Sequence, residues 1–225
     1  MARSFQNRFR EEWFDPRFWG DNAVPVTKGG RGSAWFIRAK SGDLVLRHFC
    51  RGGVPGRFIR RDYVYTRADA VRSFAEFRLL YKLFRKGLPV PEPVAAGYSR
   101  RGQLFYHASI IIRRIPGARP LSEFASASCV SSWRDAGESV RRFHDAGVFH
   151  ADLNCMNILV ADQVYLIDFD RGRLMPAGKG NDWKASNISR LERSVNKTLA
   201  DLDASLREQL WQAFLDGYGG READQ

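Results

Sequence analysis

The chain has 225 residues, 44% of them apolar, enough to bury the core of one or two small lobes, and no run approaches the roughly 18 apolar residues of a helical membrane span. Lys and Arg (36) outnumber Asp and Glu (25) to give a net charge of +11, which suits nucleotide, phosphorylated lipid, acidic sugar, nucleic acid or a membrane surface without choosing among them. Cys50, Cys129 and Cys155 are widely spaced and form no CxxC pair, so neither a disulfide framework nor a zinc site is expected. The opening Met1-Ala2-Arg3-Ser4-Phe5 lacks the apolar core of a signal peptide, and a cytoplasmic location is expected.

Trp13, Phe14, Phe18 and Trp19 stand among charges in the first 20 residues and read as an aromatic-anchored arm. Packing on the first lobe is the expected role and contact with a membrane interface the alternative. Gly29, Gly30, Gly32 and Ser33 then form a loop ahead of strands at 34–38 and 44–49, which Ser41-Gly42-Asp43 separates. Glycine has no Cβ to keep backbone N–H groups from phosphate oxygens, so the loop can cover a nucleotide, with a plain turn as the alternative. Alternation places Val45 and Arg47 on one face of the second strand and Leu46 and His48 on the other.

Residues 67–86 carry Val71, Phe74, Phe77, Leu80, Tyr81 and Phe84 in a helical stripe closed by Gly87 and Pro89, and all six are expected in the core. Glu76 lies beside that face, where it could pair with Arg47 or remain an exposed helical glutamate. A buried strand at 106–115 leads into Pro116-Gly117, a turn between lobes. Ser131-Ser132 can cap a helix running to about 146, which Gly147 ends. Two further helices are expected at 183–200 and 202–218.

Between these helices lies His150-Ala151-Asp152-Leu153-Asn154-Cys155-Met156-Asn157, followed by Ile167-Asp168-Phe169-Asp170. Phosphoryl transfer needs a carboxylate to take up the hydroxyl proton and oxygen ligands that hold Mg²⁺ on the phosphates. In the kinase pattern H-R-D-x-x-x-x-N with D-F-G, the first Asp is the base and the Asn and second Asp bind metal. Asp152, Asn157 and Asp168 occupy those positions, and a hairpin through 158–167 would fold Asp168 back toward Asn157. Arg47 stands where kinases carry the lysine of V-A-I-K and offers a planar fork in place of a point charge. Taken one at a time, these residues could be ordinary turn formers.

Several features depart from protein kinases. Asp170 replaces the glycine of D-F-G, no A-P-E follows, and Asn154 occupies the position of the usual lysine two residues after the base. Small-molecule acceptors are therefore favoured over peptides. The elements predict an α+β, two-lobed protein-kinase-like fold. A small antiparallel-sheet N-lobe with its arm spans 1–115, and a truncated, mainly helical C-lobe spans 116–225.

Leu46-Arg47-His48-Phe49 with Arg51-Gly52-Gly53, Gly87-Leu88-Pro89-Val90-Pro91, His150 to Asn154 with Asn157, Ile167 to Gly172, and Asn187-Ile188-Ser189-Arg190-Leu191 resemble the lipopolysaccharide sugar kinases. Within that superfamily branch the resemblance is greatest to kinases of 3-deoxy-D-manno-octulosonic acid (Kdo). It implies transfer of the ATP γ-phosphate to the Kdo 4-OH on a lipid A precursor, at the cytoplasmic face of the inner membrane and in contact with its anionic surface. It also implies ATP and Mg²⁺ as cofactors. Arg51, Arg57, Arg60 and Arg61 are then candidates to meet the Kdo carboxylate or lipid phosphates, with a solvated loop as the alternative. A heptose kinase or another small-molecule kinase would use the same residues. A catalytically silent module binding membrane or nucleic acid is the third reading. No zinc-finger or RNP motif supports nucleic acid, and no obligate protein partner is evident.

Overall fold

The computed structural model describes residues 10–26, 33–50, 62–176, 178 and 180–220. The chain divides into two compact units, Met1–Lys82 with Pro91–Arg114, and Leu83–Val90 with Ile115–Gln225.

In the first unit, 3-10 turns at Glu11–Phe14 and Pro16–Asn22 precede β1 (Ala23–Pro25), β2 (Ala34–Ile37), β3 (Leu44–His48), β4 (Tyr63–Val64), α1 (Arg72–Arg85, whose residues from Leu83 on fall in the second unit), β5 (Pro93–Arg101) and β6 (Phe105–Arg113). The sheet is antiparallel in the order β1-β2-β3-β6, and β5 pairs with the other edge of β6. His48 lies opposite Ser109 and Tyr63 opposite Tyr106, so β3 and β4 follow one another along one edge of β6. Alternation along these strands turns Ile37, Leu44, Leu46, Val94, Ala95 and Ile111 into one buried cluster.

Trp13, Phe14 and Trp19 of the arm pack against that cluster, as the aromatic spacing anticipates, while Phe18 stays exposed. Asp15 caps the second turn by accepting the Arg17 N–H at 2.9 Å, and Trp19 Nε1–H donates to the Trp13 carbonyl at 3.0 Å. The Phe14 ring lies directly over Gly97, where a Cβ would collide with it.

The α1 stripe needs correction. Val71 and Leu80 are buried, but the helix turns Ser73, Glu76, Leu79 and Leu83 inward with them and leaves Tyr81 and Phe84 exposed. Two apolar rows run along this helix, and periodicity alone does not say which meets the sheet. Gly87, at φ 72°, ends the helix, and the Leu88 N–H reaches back to the Leu83 carbonyl at 3.1 Å.

The second unit contains β7 (Arg119–Pro120), α2 (Val130–Asp145), β8 (Val148–Phe149), β9 (Ile158–Val160), β10 (Val164–Leu166), β11 (Arg173–Leu174), α3 (Asp182–Thr198) and α4 (Ala204–Gly219). Strands β10, β9 and β7 form one small antiparallel sheet and β11 with β8 another. Ser131 and Ser132 lie inside the first turn of α2 instead of capping it, and Cys129 occupies the N-cap with no side-chain cap bond. Helices α2 and α4 approach backbone to backbone at Gly137 and Gly217, where a methyl on either would run into the partner helix's main chain. Trp133, Val140, Phe143, Leu210 and Phe214 fill the core around that crossing.

Candidate active site

The loop from β8 to β9 presents Asp152, and its shape follows from its own side chains. Asn154 Oδ1 accepts the Met156 and Asn157 N–H groups at 2.9 and 3.1 Å, closing an Asx turn. The Asp152 carbonyl accepts from Asn154 Nδ2 at 3.0 Å and Asn157 Nδ2 at 2.9 Å. The Asn157 amide is thereby turned so that Oδ1 points away from that carbonyl. The expected hairpin forms through β9 and β10, with Leu166 opposite Ile158, and the Ile167 N–H donates to the Asn157 carbonyl at 3.0 Å. Asp168 follows at once, with a left-handed φ of 61°, a conformation that a carboxamide or carboxylate side chain tolerates better than most.

His150 joins the two halves of this arrangement. Its Nε2–H donates to the Ile167 carbonyl at 2.9 Å while Nδ1 accepts the Asp152 N–H at 3.2 Å, which fixes the neutral tautomer. Burial pushes its pKa below the ordinary histidine value, so the ring holds this donor and acceptor pattern. The ring also lies against fully buried Phe169, 4.8 Å between centroids, and Phe169 in turn stacks on Phe143. The phenylalanine of Asp168-Phe169-Asp170 is therefore the wedge that seats the loop.

Helix α3 supports the Asp152 loop from behind. Buried Asn187 brackets His150, accepting its N–H at 3.1 Å on Oδ1 and donating from Nδ2 to its carbonyl at 2.9 Å. Arg190 Nη1 donates to Asp152 Oδ1 at 3.2 Å, and Ser194 Oγ accepts the Cys155 N–H at 3.3 Å. Residues 187, 190 and 194 recur at one helical face. Spacing within the 150–157 loop did not expose these supports; the family-like 187–191 segment and a polar i, i+3, i+7 row on the following helix were the available signals. Cys155 is buried against Ser194, its Sγ 3.3 Å from the Ser194 Oγ.

In the first unit, Arg47 Nη2 donates to both Glu76 carboxylate oxygens at 2.5 Å, and the guanidinium lies over the Phe49 ring at 4.8 Å from its centroid. The expected strand-to-helix ion pair is therefore formed. Val45 is half-buried two positions earlier on β3, and the Ser33 carbonyl accepts the His48 N–H at 2.7 Å. Gly29, Gly30 and Gly32, with Arg51, Arg57, Arg60 and Arg61, lie outside the described residues.

A sheet whose third strand carries a cation paired with a helical glutamate, and a loop that holds Asp, Asn and Asp on a hairpin, define a phosphotransferase of the protein-kinase-like class. The amicoumacin kinase hAmiN, solved with AMP-PNP, Ca²⁺ and Ami, shares the fold with a TM-score of 0.65 at 12% identity, covering 97% of this chain and 80% of that one. The chain belongs to the lipopolysaccharide kinase (Kdo/WaaP) family, whose model matches residues 16–218. It is 44% identical over 215 residues to a 3-deoxy-D-manno-octulosonic acid kinase of Xanthomonas campestris pv. campestris (strain B100), covering 92% of this chain and 84% of the relative. A protein of the same name from Stenotrophomonas maltophilia (strain R551-3) is 48% identical over 188 residues, 82% of this chain and 74% of the relative.

Proposed function

We propose that this chain transfers the γ-phosphate of ATP to the 4-OH of Kdo on a Kdo-lipid A precursor in lipopolysaccharide core biosynthesis. The observation that carries the reading is the locked loop in which His150 and Asn187 hold Asp152 beside the Asn157–Asp168 hairpin. The Kdo kinases to which the chain is 44–48% identical supply the acceptor.

Asp152, with its side chain 60% exposed, takes up the proton of the attacking hydroxyl as the oxygen bonds to phosphorus and ADP departs. Arg190 and Asn154 orient that carboxylate. Asn157 and Asp168 offer an amide oxygen and a carboxylate, the hard oxygen donors that suit Mg²⁺ shared with phosphates and water. Bound there, the ion would offset charge on the β- and γ-phosphates. Arg47, held by Glu76, binds phosphate oxygens, Val45 lines the nucleotide site, and Gly29, Gly30, Gly32 and Ser33 cover the phosphates. Arg51, Arg57, Arg60 and Arg61 meet acidic groups of the acceptor. The enzyme works peripherally at the cytoplasmic face of the inner membrane.

Incubation with γ-labelled ATP and a panel of Kdo-lipid A precursor, heptosylated core and a protein mixture should label the Kdo precursor. Label confined to heptosylated core would replace the acceptor. Asp152→Asn should lower turnover by roughly 10²–10⁴ while nucleotide affinity stays unchanged. Asp168→Ala should weaken Mg²⁺-dependent nucleotide binding as well as turnover, a difference that equilibrium titration separates from the base variant.

A further inference from the structure

Helix α1 buries Ser73, Glu76, Leu79, Leu80 and Leu83, and its opposite side has a composition that sheet packing does not explain. Tyr81 and Phe84 are 42% and 43% exposed, and half-buried Phe77 continues their row, whereas Phe74 at its start is turned edge-on against Tyr98 of β5. Beside this aromatic row run exposed Arg78, Lys82 and Arg85, with Lys86 just past the last turn. The single acidic residue of the helix, Glu76, is buried against Arg47 and contributes no negative charge to this face.

We infer that this face of α1 seats the enzyme on an anionic lipid surface. Tyr81 and Phe84 enter the headgroup layer, and Arg78, Lys82, Arg85 and Lys86 meet lipid phosphates. Four cations against one exposed acid, Asp69, whose carbonyl accepts Arg78 Nη1 at 2.9 Å, select a polyanion, and the exposed rings beside them select a boundary that is apolar below and wet above. A phospholipid surface offers both properties at once, whereas an acidic protein offers mainly the charge. Among the described residues no helix is long and apolar enough to cross a membrane, so attachment through such a helix face supplies what a lipid-linked acceptor requires. The purpose of the docking, though not its chemistry, rests on the Kdo-lipid reading proposed above.

The test is sedimentation of the full chain with phosphatidylglycerol–phosphatidylcholine vesicles and with phosphatidylcholine alone. Each binding measurement is paired with the rate on a delipidated Kdo acceptor. The wild type should bind the anionic vesicles and release them as salt rises. Lys82→Gln/Arg85→Gln/Lys86→Gln should weaken binding roughly a hundredfold, at about a fivefold loss per charge. Tyr81→Ser/Phe84→Ser should weaken it on the order of tenfold. Both variants should keep the wild-type melting temperature and the wild-type rate on the soluble acceptor. Variants that sediment like the wild type would overturn the inference, as would a wild type that ignores vesicles but binds polyglutamate, the mark of an acidic protein partner. Vesicle binding that follows the variants while no Kdo acceptor is phosphorylated would support the docking face and defeat the acceptor reading instead.

Discussion

Glu76 is 3% exposed, and Arg47, which bridges both of its oxygens, offsets part of the cost of keeping a carboxylate charged so far from water. Arg47→Met removes a principal partner of that buried carboxylate and should lower stability in urea unfolding, by up to the roughly 3–5 kcal/mol that breaking a buried pair costs. Arg47→Lys, which keeps a cation but not the planar fork, should cost less and still impair phosphate binding. Equal stability of the Met variant and the wild type would show that the pair contributes nothing to folding. Sequence offered this pairing beside an exposed glutamate as the alternative, and the structure chose the pair because the row of α1 that carries Glu76 is the one turned inward. Asn187 is the contrasting case: its two bonds to the His150 backbone cross 37 positions, and the family-like segment that contains it does not say which residue it holds. Asn187→Ala leaves a buried N–H and carbonyl without those partners, so a loss of about 1–3 kcal/mol per stranded group should accompany slower turnover. Asn187→Asp should leave the carbonyl stranded while restoring the acceptor for the His150 N–H.

Elements differ in how much of their packing their own residues announce. The 158–167 hairpin was legible because two short β-branched runs flank a polar turn, and its register, a pairing local in sequence, carries Asp168 to Asn157. The crossing of α2 and α4 was not, since Gly137 and Gly217 look like weak points in helices until the facing main chains are seen. Propensity alone predicts that Gly137→Ala stabilises α2 by about 1 kcal/mol. The added methyl would overlap the Phe214 carbonyl oxygen, a backbone atom that cannot swing aside, so the observed sign should be the reverse. A loss of about 1–3 kcal/mol is expected for Gly137→Ala and for Gly217→Ala in thermal melts. Higher melting temperatures would mean that the helices separate without penalty. Gly97→Ala tests the arm in the same way, because its methyl would displace the Phe14 ring and should raise protease cleavage ahead of β1.

Acid should unfold the whole molecule through histidines that sit neutral in the second unit. Burial lowers the His144 pKa from 6.5 to about 4, and its ring lies between the Tyr218 hydroxyl at 2.7 Å and Asn187 Oδ1 at 3.4 Å. Burial moves His150 in the same direction. Above pH 6.5 the folded and unfolded chains both carry His144 neutral, and it adds no pH dependence. Below that value the unfolded chain takes up a proton that the folded chain refuses until about pH 4, so stability falls through this window, by on the order of 3 kcal/mol for His144. Melting temperatures across the window should fall less steeply for His144→Gln than for the wild type; parallel curves would remove His144 as a cause.

By itself the sequence determined the α+β order of elements, the Asp152, Asn157 and Asp168 spacing, the Arg47 and Glu76 positions and the family resemblance, all of which depend on contacts near in sequence or on residue identity. Only the tertiary structure decided which of the two apolar rows of α1 is buried, how α3 reaches back to brace His150 and Asp152, and why two helices need glycine where they cross. Those outcomes depend on what stands opposite each residue, and in a packed interior that neighbour comes from a distant part of the chain.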